Sequence, residues 1–132
     1  MKILLAMNVG RNIVFLKKEM IKIELWQEIQ EKQKMLDKAI KELAQNGYKL
    51  AECERDYKIA VNKKALELRS QDVPVTLINQ VIYGYEEIAK LRFERDTAQV
   101  KYKANLEYIQ TIKLMIRILE NQLSREFGNT KN

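Results

Sequence analysis

The stretch Ser70 to Tyr85, SQDVPVTLINQVIYGY, divides the chain into two long segments that both have a helical pattern. It contains the only proline of the sequence, Pro74, and one of its four glycines, Gly84. Proline suits the first turn of a helix and interrupts a longer one, whereas glycine often ends a helix. We therefore interpret residues 70–85 as the tip of a helical hairpin.

The tip is predicted to contain a short helix of its own. Asp72 is a candidate helix cap and Thr76 a second one, because short oxygen-bearing side chains accept hydrogen bonds from the free N–H groups of a first turn. The apolar face that follows spans two turns before Gly84 and consists of Leu77, Ile78, Val81 and Ile82. The alternative, a helix-turn-helix that reads DNA, would begin its recognition helix with Glu86 and Glu87, whose carboxylates repel phosphate.

The segment before the tip, residues 21–69, has the apolar pattern of an amphipathic helix with coiled-coil character. Side chains recur at seven-residue spacing at Ile29, Leu36, Leu43, Leu50 and Tyr57. The turns between them carry Leu25, Ala39, Ile40, Cys53, Ala60, Val61 and Leu68. Asn46-Gly47 is the one candidate break, since glycine costs about 1 kcal/mol relative to alanine in a helix interior. We expect the helix to continue through it.

The segment after the tip, residues 86–127, mirrors the first in length and pattern. Its apolar positions are Leu91, Ala98, Tyr102, Leu106, Ile109, Ile112, Ile116, Leu119 and Leu123. With a bend near residue 78, Tyr57 would face the region of Gln99. Residues 21–128 therefore predict an all-α fold: an elongated, antiparallel, coiled-coil-like two-helix hairpin with a short tip helix, followed by a polar tail at residues 129–132. Ile40, Val61 and Leu106 flank the predicted seam, and this favours dimerisation into a bundle.

Residues 1–20, MKILLAMNVGRNIVFLKKEM, form an extension with a different pattern. They contribute +3 of the net charge of +6, from Lys2, Arg11, Lys17 and Lys18 against Glu19. The apolar run in this extension is too short for a secretory signal or a bilayer span. We favour an upstream extension of a reading frame that starts at Met20; the alternatives are an apolar arm that docks on the bundle or on a second chain, and an amphipathic membrane anchor.

The composition argues against an enzyme. The sequence has no histidine, which removes the usual general base and the commonest metal ligand. Cys53 is the only cysteine, so no intrachain disulfide or paired-cysteine metal site can form, and a reducing bacterial cytoplasm is the expected compartment. No glycine-rich phosphate loop is present either. We predict no catalytic residues, no cofactor and no metal, and we expect Cys53 to be a small buried side chain.

Five residues near the tip are candidates for binding a partner. Tyr83 and Tyr85 flank Gly84 beside Ile82, and aromatic side chains at an apex are typical interaction hot spots. Packing of the tip onto the arm is the competing interpretation. Arg92 and Arg95 share a helix face within LRFERD, residues 91–96, and could bind a ligand or partner. The structural alternative is a belt of salt bridges, including an Arg92–Asp96 pair, towards Glu52, Glu54, Arg55, Asp56 and Lys58 on the other arm.

The run DVPVTLI, the LRFERD hexamer and a helix ending in RILENQLSREF resemble a group of small, uncharacterised proteins of bacteriophages and prophages. The resemblance covers about residues 24 to 127. It implies a phage origin and a host-cytoplasm setting, without supplying active-site residues. We expect a dimeric accessory protein that binds a host or phage protein, in DNA replication, recombination or counter-defence. The alternatives are sequence-independent nucleic-acid binding and a structural coiled-coil element of assembly; no membrane partner is expected.

Overall fold

The computed structural model describes the backbone of residues 2–128 and the side chains of residues 8–128. Helix α1 runs from Lys2 to Ser70, α2 from Val75 to Val81 and α3 from Glu86 to Phe127, and a 3-10 turn at Ile82–Gly84 links α2 to α3. None of the described residues forms a strand. The predicted all-α class is confirmed, and α1 and α3 pack together as the arms of a helical hairpin. The predicted polar tail at residues 129–132 lies outside the described residues.

Helix α1 is longer than the predicted first arm, because it begins at Lys2 instead of residue 21. The residues that interrupt the apolar run of the extension are Asn8, Gly10 and Asn12. Each lowers helix stability by about 1 kcal/mol or less, and none prevents the helical backbone as proline does. These three residues therefore interrupt the apolar pattern along α1, but the helix continues through them.

The chain divides into two compact units. The tip unit comprises residues 39–108, and the terminal unit comprises residues 1–38 and 109–132. Each unit contains one part of α1 and one part of α3, and each has buried side chains of its own.

The core of the tip unit lies along the seam between α1 and α3. Its buried side chains are Ala39, Cys53, Tyr57, Leu68, Ile78, Ile82, Ile88 and Asn105. The predicted burial of Cys53 is confirmed. Ile40, predicted to flank the seam, is 47% exposed, whereas Leu106 is half-buried beside it. Asn105, the residue before Leu106, is buried in the seam.

Contacts across the seam fix the register of the tip unit. Lys64 approaches Glu87 to 3.6 Å and Asn46 approaches Asn105 to 3.5 Å, and both pairs are centred between residues 75 and 76. The bend therefore lies two to three residues before the predicted position near residue 78. As a consequence Tyr57 contacts Arg95, whose guanidinium carbon is 4.5 Å from the ring centroid, and not the region of Gln99.

Helix α1 continues through Asn46-Gly47, as predicted, and the glycine has a packing role. A Cβ atom at residue 47 would lie 3.3 Å from Cε2 of Tyr102. That separation is shorter than ordinary van der Waals contact, so the missing side chain makes room for the tyrosine ring of α3. The cost of glycine in a helix is offset by the insertion of an aromatic side chain into the seam.

The prediction that Asp72 caps the tip helix is wrong. Asp72 has a φ of 62°, and it ends α1. Its N–H donates to the Arg69 carbonyl and the N–H of Val73 donates to the Leu68 carbonyl, each at 3.1 Å. This is a Schellman motif, in which a left-handed residue turns the chain and a hydrophobic contact follows, here Val73 against the cluster around Leu68. Aspartate tolerates the left-handed region better than most residues, which explains its position here.

Helix α2 begins after Pro74, whose carbonyl accepts hydrogen bonds from Leu77 and Ile78 at 3.0 Å. Proline provides the extended backbone that precedes a first turn, with φ −59° and ψ 142°, and no side chain caps this helix. Gly84 ends the following 3-10 turn, but it does so without a positive φ. Pro74 therefore lies at the N-cap, one residue before the first turn in which it was predicted, whereas Thr76 lies inside α2 and does not cap it.

The terminal unit has a separate core. Its buried side chains are Leu25 and Ile29 from α1 with Ile109, Ile112 and Ile116 from α3. These residues belong to the two predicted apolar stripes, and their burial confirms that both arms direct those stripes inward.

Candidate interaction surfaces

The apex of the tip unit is a small hydrophobic cluster. Ile82 is 3% exposed and packs with Leu68 and Ile78, and Val61, Ala65, Val73 and Tyr85 lie against them. Ile82 was a candidate for partner binding, but it is part of this core and offers no surface to a partner. The reason is that α2 and the 3-10 turn direct Ile78 and Ile82 towards Leu68 of α1. Of the two interpretations, packing of the tip onto the arm is therefore the one observed for Ile82.

Tyr83 and Arg92 are brought together at the surface. Tyr83 is 45% exposed, and the Arg92 guanidinium carbon lies 5.4 Å from the centroid of its ring. The exposed guanidinium of Arg92 contacts the ring of Tyr83. The predicted Arg92–Asp96 ion pair does not form, because Asp96 pairs with Arg95. Cation–π contacts at exposed positions contribute about 0.5–1 kcal/mol. The pair presents one aromatic and one cationic group to solvent.

Tyr85 is half-buried and lies beneath the side chain of Lys64. The Lys64 ammonium is 4.3 Å from the ring centroid, 3.4 Å from Glu67 and 3.6 Å from Glu87. Desolvation of the ammonium lowers its pKa, but the carboxylates of Glu67 and Glu87 outweigh this effect and raise the pKa of Lys64 above its ordinary value. Tyr85 therefore joins α1 to the start of α3.

Arg95 contacts residues of the seam and is only partly exposed. Its guanidinium lies over Tyr57 and donates to the Asp96 carboxylate at 2.7 Å, and this hydrogen bond is the main reason why the pKa of Arg95 is raised. Arg55 makes the equivalent bond to Asp56 on α1. Among the described side chains, no ion pair joins the 52–58 group to the 92–96 group. The predicted salt-bridge belt is replaced by one cation–π contact across the seam.

The outer side of α3 carries an apolar surface that was not predicted from the sequence. Phe93 is 71% exposed and Val100 is 68% exposed, and both lie on the side of the helix opposite the buried Ile88 and Asn105. Thr97 and Ala104 complete the same face at spacings of four and three residues. The spacing of Phe93 and Val100, seven residues, was the available signal, but it lies outside the stripe that forms the core.

A second apolar surface lies in the terminal unit, within the extension. Val9, Ile13, Leu16, Met20 and Ile23 are each about half exposed. Nearby, Trp26, Leu123 and Phe127 line an open groove between α1 and the end of α3. The start of α1, as far as Ile23, therefore exposes an apolar surface.

The described residues show neither a metal site nor a membrane span. No group of three or more metal-binding side chains occurs between residues 8 and 128. In the part of the chain that the structure describes, no helix is long and apolar enough to cross a membrane. The chain matches no known protein family, no curated protein and no solved structure.

Proposed function

We propose that this protein is a non-catalytic binding protein that acts through protein–protein contacts, and that the outer face of α3 in the tip unit receives the partner. The observation that carries the proposal is the exposure of Phe93 and Val100, at 71% and 68%. An aromatic and an aliphatic side chain one heptad apart, separated by Thr97 and Ala104, form a helical face that another helix can cover.

The contacts of Lys64, Arg92 and Arg95 favour a protein partner over nucleic acid at this position. Binding to phosphates requires cations that are free to release counterions. Lys64 is held by two carboxylates and Arg95 by Asp96, while Arg92 lies against Tyr83. Tyr83 and Arg92 border the same part of α3 as Phe93, and they are residue types enriched at protein interfaces. We assign them to the rim of the proposed surface.

The resemblance of DVPVTLI and LRFERD to phage and prophage proteins suggests the setting of this activity. We propose a phage or prophage accessory protein in the bacterial cytoplasm, with a host or phage protein as its partner. DNA replication, recombination and counter-defence are the processes in which such an accessory protein would act.

Affinity capture from bacterial lysate tests the proposal when it includes surface variants. The full-length chain is compared with the double variant Phe93→Ser, Val100→Ser and with the control Tyr48→Ser, because Tyr48 is 73% exposed on α1. We expect the wild type and the control to retain a stoichiometric protein at about 50 and 200 mM salt, and the double variant to lose at least about tenfold.

Fluorescence anisotropy with single- and double-stranded DNA at the same two salt concentrations addresses the competing function. We do not expect DNA binding with an affinity that falls steeply as the salt concentration rises. Tight, salt-dependent DNA binding, or a captured protein that the double variant retains fully, would contradict the proposal.

A further inference from the structure

Five of the exposed apolar residues near the start of α1 follow a coiled-coil pattern, whereas Val14 and Phe15 lie off it. Along α1, Val9, Ile13, Leu16, Met20 and Ile23 are separated alternately by four and three residues. Their exposed fractions lie between 48% and 60%. An average spacing of 3.5 residues keeps one narrow face turned towards a partner helix over several turns. We call these five residues the N-terminal stripe.

Helix α3 cannot cover the N-terminal stripe. Leu25 and Ile29, which are 7% and 2% exposed, mark the face of α1 that is buried in the terminal unit. At about 100° per residue, the stripe lies about half a turn away from these two residues. Most of the stripe therefore points away from α3, although Ile23 at its end lines an open groove with Leu123 of α3. A further helix can reach the stripe without displacing α3.

The borders of the stripe indicate a helix as the occupant and argue against a lipid surface. Lys17 and Glu24 lie along one border and Glu19 along the other, so both signs of charge flank a narrow apolar face, as at the e and g positions of a coiled coil. A helix that lies on a membrane has a broad apolar face with aromatic residues in it and a basic polar face. Here Phe15 lies off the stripe, and Trp26 lies on the same border as Glu19, one heptad further along α1.

We propose that the N-terminal stripe is the interface of an antiparallel homodimer, with the stripe of a second copy as its occupant. In an antiparallel pair, residues of one border face the same border of the partner. Lys17 of each copy then meets Glu24 of the other, and the contact occurs twice by symmetry. A parallel pair would instead place Glu19 of one copy beside Glu24 of the other, which is repulsive.

The antiparallel alignment covers the whole stripe apart from its first residue. With Lys17 opposite Glu24, Met20 meets Ile23 at the centre. Leu16 and Ile13 meet Gln27 and Gln30, two exposed residues that continue the spacing of four and three. Four half-exposed apolar side chains and two glutamines per copy bury on the order of 1,000 Å² in total, which reaches the lower bound for a specific interface.

Sedimentation equilibrium of the full chain between about 1 and 100 μM tests the proposal. We expect a dimer for the wild type, and a dissociation constant raised at least about 100-fold by Leu16→Ser with Met20→Ser. Phe15→Ser is the matched control, because Phe15 is 62% exposed but lies off the stripe, and it should remain dimeric. Circular dichroism checks that each variant keeps its helix content. A double variant that stays folded and dimeric overturns the proposal.

Charge reversal tests the alignment. Lys17→Glu and Glu24→Lys should each weaken the dimer, and the two combined should restore it, because every contact then joins opposite charges again. A stronger dimer with Glu24→Lys alone would overturn the antiparallel arrangement. A wild-type chain that stays monomeric at 100 μM but binds vesicles of anionic phospholipid would overturn the second copy as the occupant. Neither outcome bears on Phe93 and Val100, so the proposed function is tested separately.

Discussion

Replacing Asn105 by leucine should stabilise the protein, although it removes polar contacts from the core. Asn105 is 8% exposed in the seam of the tip unit. Its Nδ2 donates to the Ala39 carbonyl at 3.3 Å, and its Oδ1 accepts from Asn46 at 3.5 Å. Both distances exceed the usual 2.9–3.0 Å, so each bond contributes at the low end of about 0.5–1.5 kcal/mol.

The net effect of Asn105→Leu on stability depends on whether its two hydrogen-bond partners are left buried and unpaired. The Ala39 carbonyl lies inside α1 and keeps its helical hydrogen bond, and Asn46 is only half-buried, so neither is left unpaired and buried. Leucine has the branched skeleton of asparagine with bulkier methyl groups, and its burial contributes about 1.5–3 kcal/mol, from which any overpacking of the seam is subtracted. We therefore expect Asn105→Leu to increase the free energy of unfolding by about 1–2 kcal/mol.

Urea unfolding followed by circular dichroism at one protein concentration measures the effect. At a slope of about 2 kcal/mol per molar urea, the midpoint should rise by roughly 0.5–1 M with the slope unchanged. Asn121→Leu, the same change at an exposed position of α3, should alter stability by no more than about 0.5 kcal/mol. A decrease of 1 kcal/mol or more in Asn105→Leu would refute the reasoning and show that the asparagine pair stabilises the seam. A lower slope would show that Asn105 excludes alternative registers, as buried asparagine does in coiled coils.

Three further pairs of substitutions and one pH dependence test the tip and the seam. Asp72→Gly should raise stability by about 1 kcal/mol and Asp72→Val should lower it by about 1–2 kcal/mol, because residue 72 has a left-handed backbone; thermal melts that rank them otherwise contradict the Schellman assignment. Gly47→Ala should increase the free energy of unfolding by less than the helix-propensity gain of about 1 kcal/mol, because the new Cβ meets Tyr102. Gly10→Ala, whose new Cβ meets no neighbour, should show the full gain. Equal gains in the two variants would mean that the Tyr102 ring moves aside freely. Ile82→Ala should cost about 2–5 kcal/mol and Tyr83→Ala under about 1 kcal/mol in urea unfolding, and similar losses would contradict the burial of Ile82. The raised pKa of Lys64 means that its ion contacts stabilise the fold below the ordinary lysine pKa of 10.5 and are lost as the pH rises through the folded value. The difference in melting temperature between wild type and Lys64→Met should therefore shrink from pH 8 to pH 11, and a constant difference would count against the ion contacts.

The sequence by itself determined the helical class, the two arms and the position of the tip. A single proline between two segments with seven-residue apolar spacing leaves few alternatives to a hairpin, because proline interrupts a helix and each stripe must be buried against another. The inward positions of Ile29, Tyr57, Ile109 and Ile116 followed from that spacing alone. These features depend on local backbone preferences and on one-dimensional periodicity.

The candidate site was predicted less well, because its arrangement depends on register. Shifting the bend by two to three residues placed Arg95 over Tyr57. The packing of α3 also buried Asn105 in the seam, a polar residue that the apolar pattern did not include. The sequence grouped Ile82 with Tyr83 and Tyr85, but only the packing of α2 decided that Ile82 belongs to the core and Tyr83 to the surface. Likewise, charges close in sequence suggested a belt of ion pairs, whereas long side chains choose partners by the distances that packing sets.

Surfaces were decided by tertiary structure for a simple physical reason. A helix with two apolar stripes can bury either of them, and its sequence shows the spacing of both. Only the position of α3 determined that Leu25 and Ile29 are covered while Val9 to Ile23 remain exposed. The sequence thus determined which residues can form a helical interface, and the packing of the chain on itself determined which of those residues remain available to another molecule.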